Sequence, residues 1–328
     1  MWKDIQYKVY GKPSMEVSLF GRTYTATIKR KKLPFGLSVQ WVQILGVDIP
    51  SDKKYVREEL AKLKQQFSPW NTMFVQLWLI NEIISFDNYT HKSETFEGDM
   101  RRMRLSTQNY MQMVYGIRPS FRENMPLSNI IYDVTKTDEE LIAEMNKWCK
   151  ERIKKALKQD IHFASATPEQ YDYFYDQWVQ LSDDKGFTVI PKQDYYDLIK
   201  YLRDNNAGQL FIAEKDWELV AGSICMYDTH RITYLYGFAN RKFRNIGGHH
   251  FLKYKIFGRA RNRWISACDM LGGAPTGFPE HSLTGVSAFK ESLGGTKIEI
   301  YGNYDLVISP ILYTLSRRVY TLKKKIFW

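Results

Sequence analysis

Cysteine is scarce in this 328-residue sequence. The three present, Cys149, Cys225 and Cys268, form no CxxC pair and are too scattered for a disulfide framework, which argues against a structural zinc site and for a reducing compartment. Long apolar runs are also missing. The most apolar window, Met73 to Phe86, is interrupted by Gln76, Asn81 and Glu82 and falls short of the ~20 residues that a spanning helix needs. Met1-Trp2-Lys3-Asp4 is charged at once, without the apolar stretch of a secretory signal. We therefore expect a soluble, cytoplasmic protein. Several catalytic signatures are absent as well: GxSxG, the Walker A loop, GxGxxG and any Cys/His nucleophile pair, while His249-His250 lacks HExxH spacing. A hydrolase, an NTPase, a dinucleotide enzyme and a metal centre thus have little support.

What is present is an ample core and an excess of positive charge. Hydrophobic residues make up 44% of the chain and aromatics 15%, which excludes a disordered protein, and the length suits two domains of about 150 residues. Lys and Arg outnumber Asp and Glu 47 to 36, giving +11. That balance suits a phosphorylated or polyanionic partner or an anionic membrane surface, although a basic surface also serves solubility.

The patterning reads as α/β, or α+β. Thr23 to Ile28 and Leu37 to Leu45 alternate as strands across a basic turn ending in Leu33-Pro34-Phe35-Gly36. Asp52 to Phe67 is helical, with Tyr55, Val56, Leu60, Leu63 and Phe67 at three- and four-residue spacing. Phe74 to Leu79 is a buried strand, the polar stretch from Asp87 to Arg104 a loop, and Asn129 to Val134 a strand. Thr137 and Glu140 form a capping box that opens one long helix to Asp160, acidic at its start and carrying six cations from Lys147 to Lys158. The helix dipole accounts for that order, and a phosphate-facing role remains open. Helices at Pro168–Ser182 and Lys192–Asp204 follow, then strands at Leu210–Ala213, Leu219–Met226 and Arg231–Phe238, a helix at His249–Asn262, strands at Ile265–Met270 and Ile298–Tyr301, and an amphipathic helix from Ile311 to Phe327 that carries Lys323-Lys324-Lys325. This order matches the core of acyltransferase-type domains.

Two local elements carry candidate chemistry. Arg244, Gly247 and Gly248 lie between a strand and a helix, where free backbone N–H groups can cradle a phosphate; a close-packing turn explains the glycines equally well. Phe289-Lys290, followed by Gly294-Gly295 and a strand, brings one ammonium toward a cleft, although from spacing alone an exposed helix lysine is the simpler reading. His249 reads as a solvated residue at a helix start.

Together these stretches resemble the FemABX peptidyltransferases, which build the interpeptide bridge of peptidoglycan from aminoacyl-tRNA. MPLSNIIYDVT (Met125–Thr135) is similar to the family's Pro-containing strand, ERIKKALKQDI (Glu151–Ile161) to its basic helix, and ITYLYGFAN (Ile232–Asn240) to its Tyr-Gly strand. Cys268 to Gly273 is similar to its Asp-Gly-Gly segment, and FKESLGG with YGNYDLV (Phe289–Gly295 and Tyr301–Val307) to its Phe-Lys and Gly-Glu-x-Asp segments. The resemblance implies two GNAT-like domains with mixed sheets and no coiled-coil arm: residues 1–136, joined by a returning 304–328, and residues 137–303 with the cleft. It implies that Lys290, beside Phe289, stabilises the oxyanion, and we expect its ammonium at the floor of a groove lined by Thr188, Tyr195 and Tyr236. It also implies acceptor contacts at Asn303 and at Lys192 or Lys185, aminoacyl-tRNA as co-substrate without a further cofactor, a UDP-linked or lipid-linked muropeptide precursor as acceptor, and peripheral contact with the inner face of the membrane. Two departures stand out: Ile190 replaces a basic residue before Pro191, and Asn303 replaces an acidic one. Other readings are an acyl-CoA-dependent N-acyltransferase using the Arg244 turn, and a non-catalytic nucleic-acid-binding relative.

Overall fold

The computed structural model describes residues 9–32, 38–85 and 94–327. The chain divides into two compact units, residues 2–128 with 274–281 and 298–328, and residues 129–273 with 282–297. Of the expected basic turn, Lys29–Lys32 instead continue a strand that pairs with Ser38–Trp41, and residues 33–36 lie outside the described residues.

The first unit opens with β1 (Ser14–Leu19), β2 (Arg22–Lys32) and β3 (Ser38–Val47). Phe20 and Gly21 both take positive φ, the turn geometry that matches the twist of two antiparallel strands. Helix α1 (Lys53–Phe67) is capped by the Asp52 carboxylate, which accepts from the amides of Lys54 and Tyr55, and it buries Val56, Leu60, Leu63 and Phe67 as its spacing predicts. Next come β4 (Thr72–Ser85), α2 (Glu94–Tyr110) and β5 (Arg118–Pro119). Helix α2 overturns the expectation of a loop from Asp87 to Arg104, whose residues 87–93 lie outside the described set. Its buried face combines Met100 with a charged residue, Arg104. Arg104, 3% exposed, pairs with the fully buried Glu299 at 2.5 Å and donates to the carbonyls of Leu127 and Ile300.

The second unit contains β6 (Ser128–Asp133), α3 (Asp138–Glu144), α4 (Lys147–Leu157), β7 (His162–Ser165), α5 (Pro168–Lys185) and α6 (Lys192–Asp204). Then follow β8 (Gly208–Lys215), β9 (Glu218–Tyr227), β10 (Arg231–Ala239), α7 (Gly248–Arg261), β11 (Ala267–Asp269) and α8 (Thr284–Ser292). Its strands run in the order β6-β11-β10-β9-β8-β7, antiparallel except for β10 with β11. Two helices, three antiparallel strands, a helix and a parallel strand is the acyltransferase order read from the sequence, and β7, which the sequence reading lacks, precedes them. The unit starts at Asn129, ahead of residue 137, because β6 pairs with β11. The single long helix from Thr137 is in fact two. The Thr137–Glu140 capping box forms, but Met145 turns extended and Asn146 caps α4 by accepting from the Cys149 amide at 2.8 Å. Both helices feed one core, so Leu141, Met145, Cys149, Ile153 and Ala156 read as a continuous stripe.

The chain returns to the first unit through β12 (Thr296–Val307), and α9 (Pro310–Phe327) ends it. Strand β12 is far longer than the expected Ile298–Tyr301, because register shifts beside Gly302 (φ 92°) let it continue along β4 and on to β5. Within this unit the order is β1-β2-β3-β4-β12. No helix among the described residues is long and apolar enough to cross a membrane.

Candidate active site

Two stretches singled out separately in the sequence meet in one structure. Beyond β11, the chain turns at Leu271 (φ 31°) and Gly272 (φ 79°), and the turn is fixed from three sides. The Asp269 carboxylate accepts from the Leu271 amide at 2.8 Å and pairs with Arg231 at 3.2 Å, while the Asn129 side-chain oxygen accepts from the Gly272 amide at 3.2 Å. Leu271 and Gly272 therefore present their carbonyls together, and the Lys290 ammonium donates to both.

Lys290 is not the exposed helix lysine that spacing alone suggested. It is 7% exposed, and Tyr132 donates its hydroxyl to the Lys290 carbonyl at 2.6 Å, anchoring the last turn of α8. Burial pushes its pKa down to about 8, with the Asp269 charge opposing the shift. Asp269 is itself raised by burial, against the Leu271 amide and Arg231, which favour its charged form. An ammonium has three N–H donors. Two are held by the turn, and the third has no acceptor among the described residues. The result is a preorganised cation in a low-dielectric setting, the arrangement that stabilises a developing oxyanion.

Phe289 stacks in parallel on His249, ring centroids 4.3 Å apart, with His250 edge-on at 4.9 Å. His249 is thus a ring partner of Phe289, not the solvated helix-start residue expected from sequence. Burial drives the pKa of His249 down to about 3 and that of His250 to about 4, so both are neutral near pH 7.

Sequence reasoning missed Lys253, which is 1% exposed on α7. Its ammonium donates to Ser223 Oγ at 2.9 Å and lies over the Tyr234 ring, and burial holds its pKa well below the usual lysine range. A lysine flanked by Phe251, Leu252, Ile256 and Phe257 was the available signal, although Lys255 shares the same stretch.

Other candidates are engaged elsewhere. Tyr195 is fully buried, donates its hydroxyl to the Tyr171 carbonyl at 2.9 Å and packs on Phe174 and Tyr175, so it lines no groove. It is an aromatic core residue because α5 and α6 meet through their rings. Tyr236 is half-buried against Trp178 at 4.9 Å. Thr188 is exposed, and Lys192 pairs at the surface with Asp172 at 2.6 Å. Asn303, on β12 in the first unit, donates to the Met125 carbonyl at 2.6 Å.

At the glycine turn, packing explains both glycines. A Cβ on Gly247 (φ 78°) would lie 2.4 Å from the Arg152 carbonyl oxygen, and one on Gly248 would lie 1.9 Å from Val220. Arg152 donates to the Arg244 carbonyl at 2.8 Å, and the Arg244 side chain is exposed. A shallow hollow of about 380 Å³ beside this turn is lined by Trp148, Glu151, Arg152, Lys155 and Asn245. Among the described residues, no cluster of three or more His, Cys, Asp or Glu is placed to hold a metal ion.

Residues 202–321 match the sequence model of the FemAB family. Among solved structures, the crystal structure of FemX is 16% identical, with a TM-score of 0.69 over 96% of this chain and 93% of that one. A conserved protein of unknown function from Bacteroides thetaiotaomicron is 11% identical, with a TM-score of 0.52 over 93% of this chain and 90% of that one. No curated protein matches by sequence. The matched stretch contains β11, the Leu271–Gly272 turn and Lys290, so the resemblance read from the sequence holds where the candidate site lies: residues 202–321 are similar to the FemAB family, and the chain has the mixed α/β fold that FemX also has.

Proposed function

We infer that the chain is an aminoacyltransferase that moves an amino acid from aminoacyl-tRNA to the amine of a peptidoglycan-precursor stem peptide. One observation carries this reading: the Lys290 ammonium is buried and clamped on the carbonyls of Leu271 and Gly272, with one N–H left for a third oxygen. The neutral acceptor amine attacks the ester carbonyl, and negative charge builds on the carbonyl oxygen beside that N–H. The tetrahedral intermediate then collapses, forming the C–N bond and breaking the C–O bond, while the amine's proton passes to the departing ribose oxygen. Neither a covalent nucleophile nor a cofactor is needed. Juxtaposition of two substrates supplies much of the remaining acceleration, and the +11 charge suits a tRNA and a pyrophosphate-bearing acceptor, UDP-linked or lipid-linked.

The acyl-CoA reading is weaker. The Arg152 carbonyl packs where a cofactor pyrophosphate would need to approach Gly247. The test is incubation with mixed charged tRNAs and a muropeptide precursor, followed by mass spectrometry for an added residue, with an acetyl-CoA arm in parallel. Lys290→Ala should lose about 10²- to 10³-fold in turnover, the effect of removing one oxyanion donor, with circular dichroism unchanged. Transfer undiminished in Lys290→Ala, or acetyl-CoA consumed in place of charged tRNA, overturns the reading.

A further inference from the structure

Helix α9 has two opposed faces. Its inner face is anchored to the first unit: Tyr313, 3% exposed, donates to the Asp305 carboxylate at 3.1 Å and packs on Phe74 and Phe121, and Tyr320 also meets Phe121. Its outer face is bare. Ile311 is 81% exposed, Leu315 56%, Val319 39% and Leu322 59%. Steps of four, four and three residues place these side chains within an arc of about 80° at 3.6 residues per turn, so they form one continuous aliphatic stripe.

The sequence of this segment carries charge of one sign. After Asp305 the sequence contains no Asp or Glu through residue 328, but five cations: Arg317, Arg318, Lys323, Lys324 and Lys325. Arg118, Arg317 and Arg318 converge on a hollow of about 470 Å³ that also touches Leu322 and has no carboxylate in its lining. Arg318 borders the stripe, while Arg317 and Arg118 reach it across this hollow. An aliphatic stripe flanked by a basic hollow is the signature of a helix that lies in the plane of an anionic membrane.

We propose that α9 docks the protein on an anionic phospholipid bilayer, with Ile311, Leu315, Val319 and Leu322 among the acyl chains and Arg118, Arg317 and Arg318 on lipid phosphates. Alternative occupants fit less well. An RNA would use the cations but not a stripe of branched aliphatics that cannot stack on bases. A second copy placing its α9 on this one would set arginine against arginine. The proposal stands apart from the transfer reading, and neither requires the other.

The test is co-sedimentation of the full-length protein with vesicles of phosphatidylglycerol and phosphatidylcholine, against phosphatidylcholine alone. The protein should pellet with the anionic vesicles, less so as salt rises, and stay in solution with neutral ones. Ile311→Glu/Leu315→Glu and Arg317→Glu/Arg318→Glu should each lower partition at least about tenfold, with circular dichroism unchanged because all four side chains are on the surface. Failure to bind anionic vesicles overturns the proposal. So does undiminished binding by Ile311→Glu/Leu315→Glu, or a dimer on gel filtration that those substitutions dissolve.

Discussion

Burial lowers the Lys290 pKa to about 8, while the proposed reaction needs the lysine charged and the attacking amine neutral. A stem-peptide amine of ordinary pKa, ~10.4, gains neutral fraction tenfold per pH unit. Below pH 8 Lys290 stays protonated, so kcat/KM should rise with unit slope. Above about 8 the loss of the ammonium cancels the gain in nucleophile, so the profile should flatten there and fall only past the acceptor's own pKa. In Lys290→Arg, where the cation persists, any remaining activity should keep climbing beyond pH 8. A wild-type profile that rises straight through pH 8 removes Lys290 from the chemistry. The sequence revealed the Phe-Lys pair but not this setting. Lys290 owes its burial to contacts with Leu271 and Gly272, eighteen or more residues away, and spacing within α8 says nothing about them. The same limit hid the stacking of His249 on Phe289.

Helices were legible where their buried faces are apolar and their ends are capped by nearby side chains. Helix α1 satisfies both conditions, through Asp52 and the Val56–Leu60–Leu63–Phe67 stripe. Helix α2 lacks the first, because its central inward residue is an arginine whose partner is 195 positions away. That pair yields a prediction. Arg104→Met removes the guanidinium that pairs with Glu299 in the interior, where the Thr276 amide and hydroxyl also donate to the carboxylate, both at 2.9 Å. Breaking one side of a buried ion pair costs about 3–5 kcal/mol, and urea unfolding should show a loss of that size. A loss below about 1 kcal/mol would mean that α2 is not held through Arg104. The break between α3 and α4 was concealed for the opposite reason: the apolar stripe is unbroken across Asn146, and only the extended Met145 backbone separates the helices.

Over the whole chain, legibility followed contiguity. Residues that form the second unit run almost without interruption from 129 to 297, so hairpins such as β8–β9 appear as neighbouring patterns, whereas the first unit needs a strand that arrives more than two hundred residues after its partner. Strand β12 pairs with both β4 and β5 and supplies Tyr304 and Leu306 to the same core as Val42, Leu60 and Leu77. Removing large buried side chains costs roughly 2–5 kcal/mol each, against a total stability of about 5–15 kcal/mol for a domain. A chain ending at Lys297 also leaves Arg104 without Glu299. Such a truncation should therefore unfold the first unit and spare the second, whose own core is complete by Leu293. Limited proteolysis followed by mass spectrometry should find cleavage throughout the region before Ser128 and a resistant fragment spanning about 129–297. Protection retained across β1 to β4 in the truncated chain would show that this sheet closes without β12, contrary to the pairing that joins them.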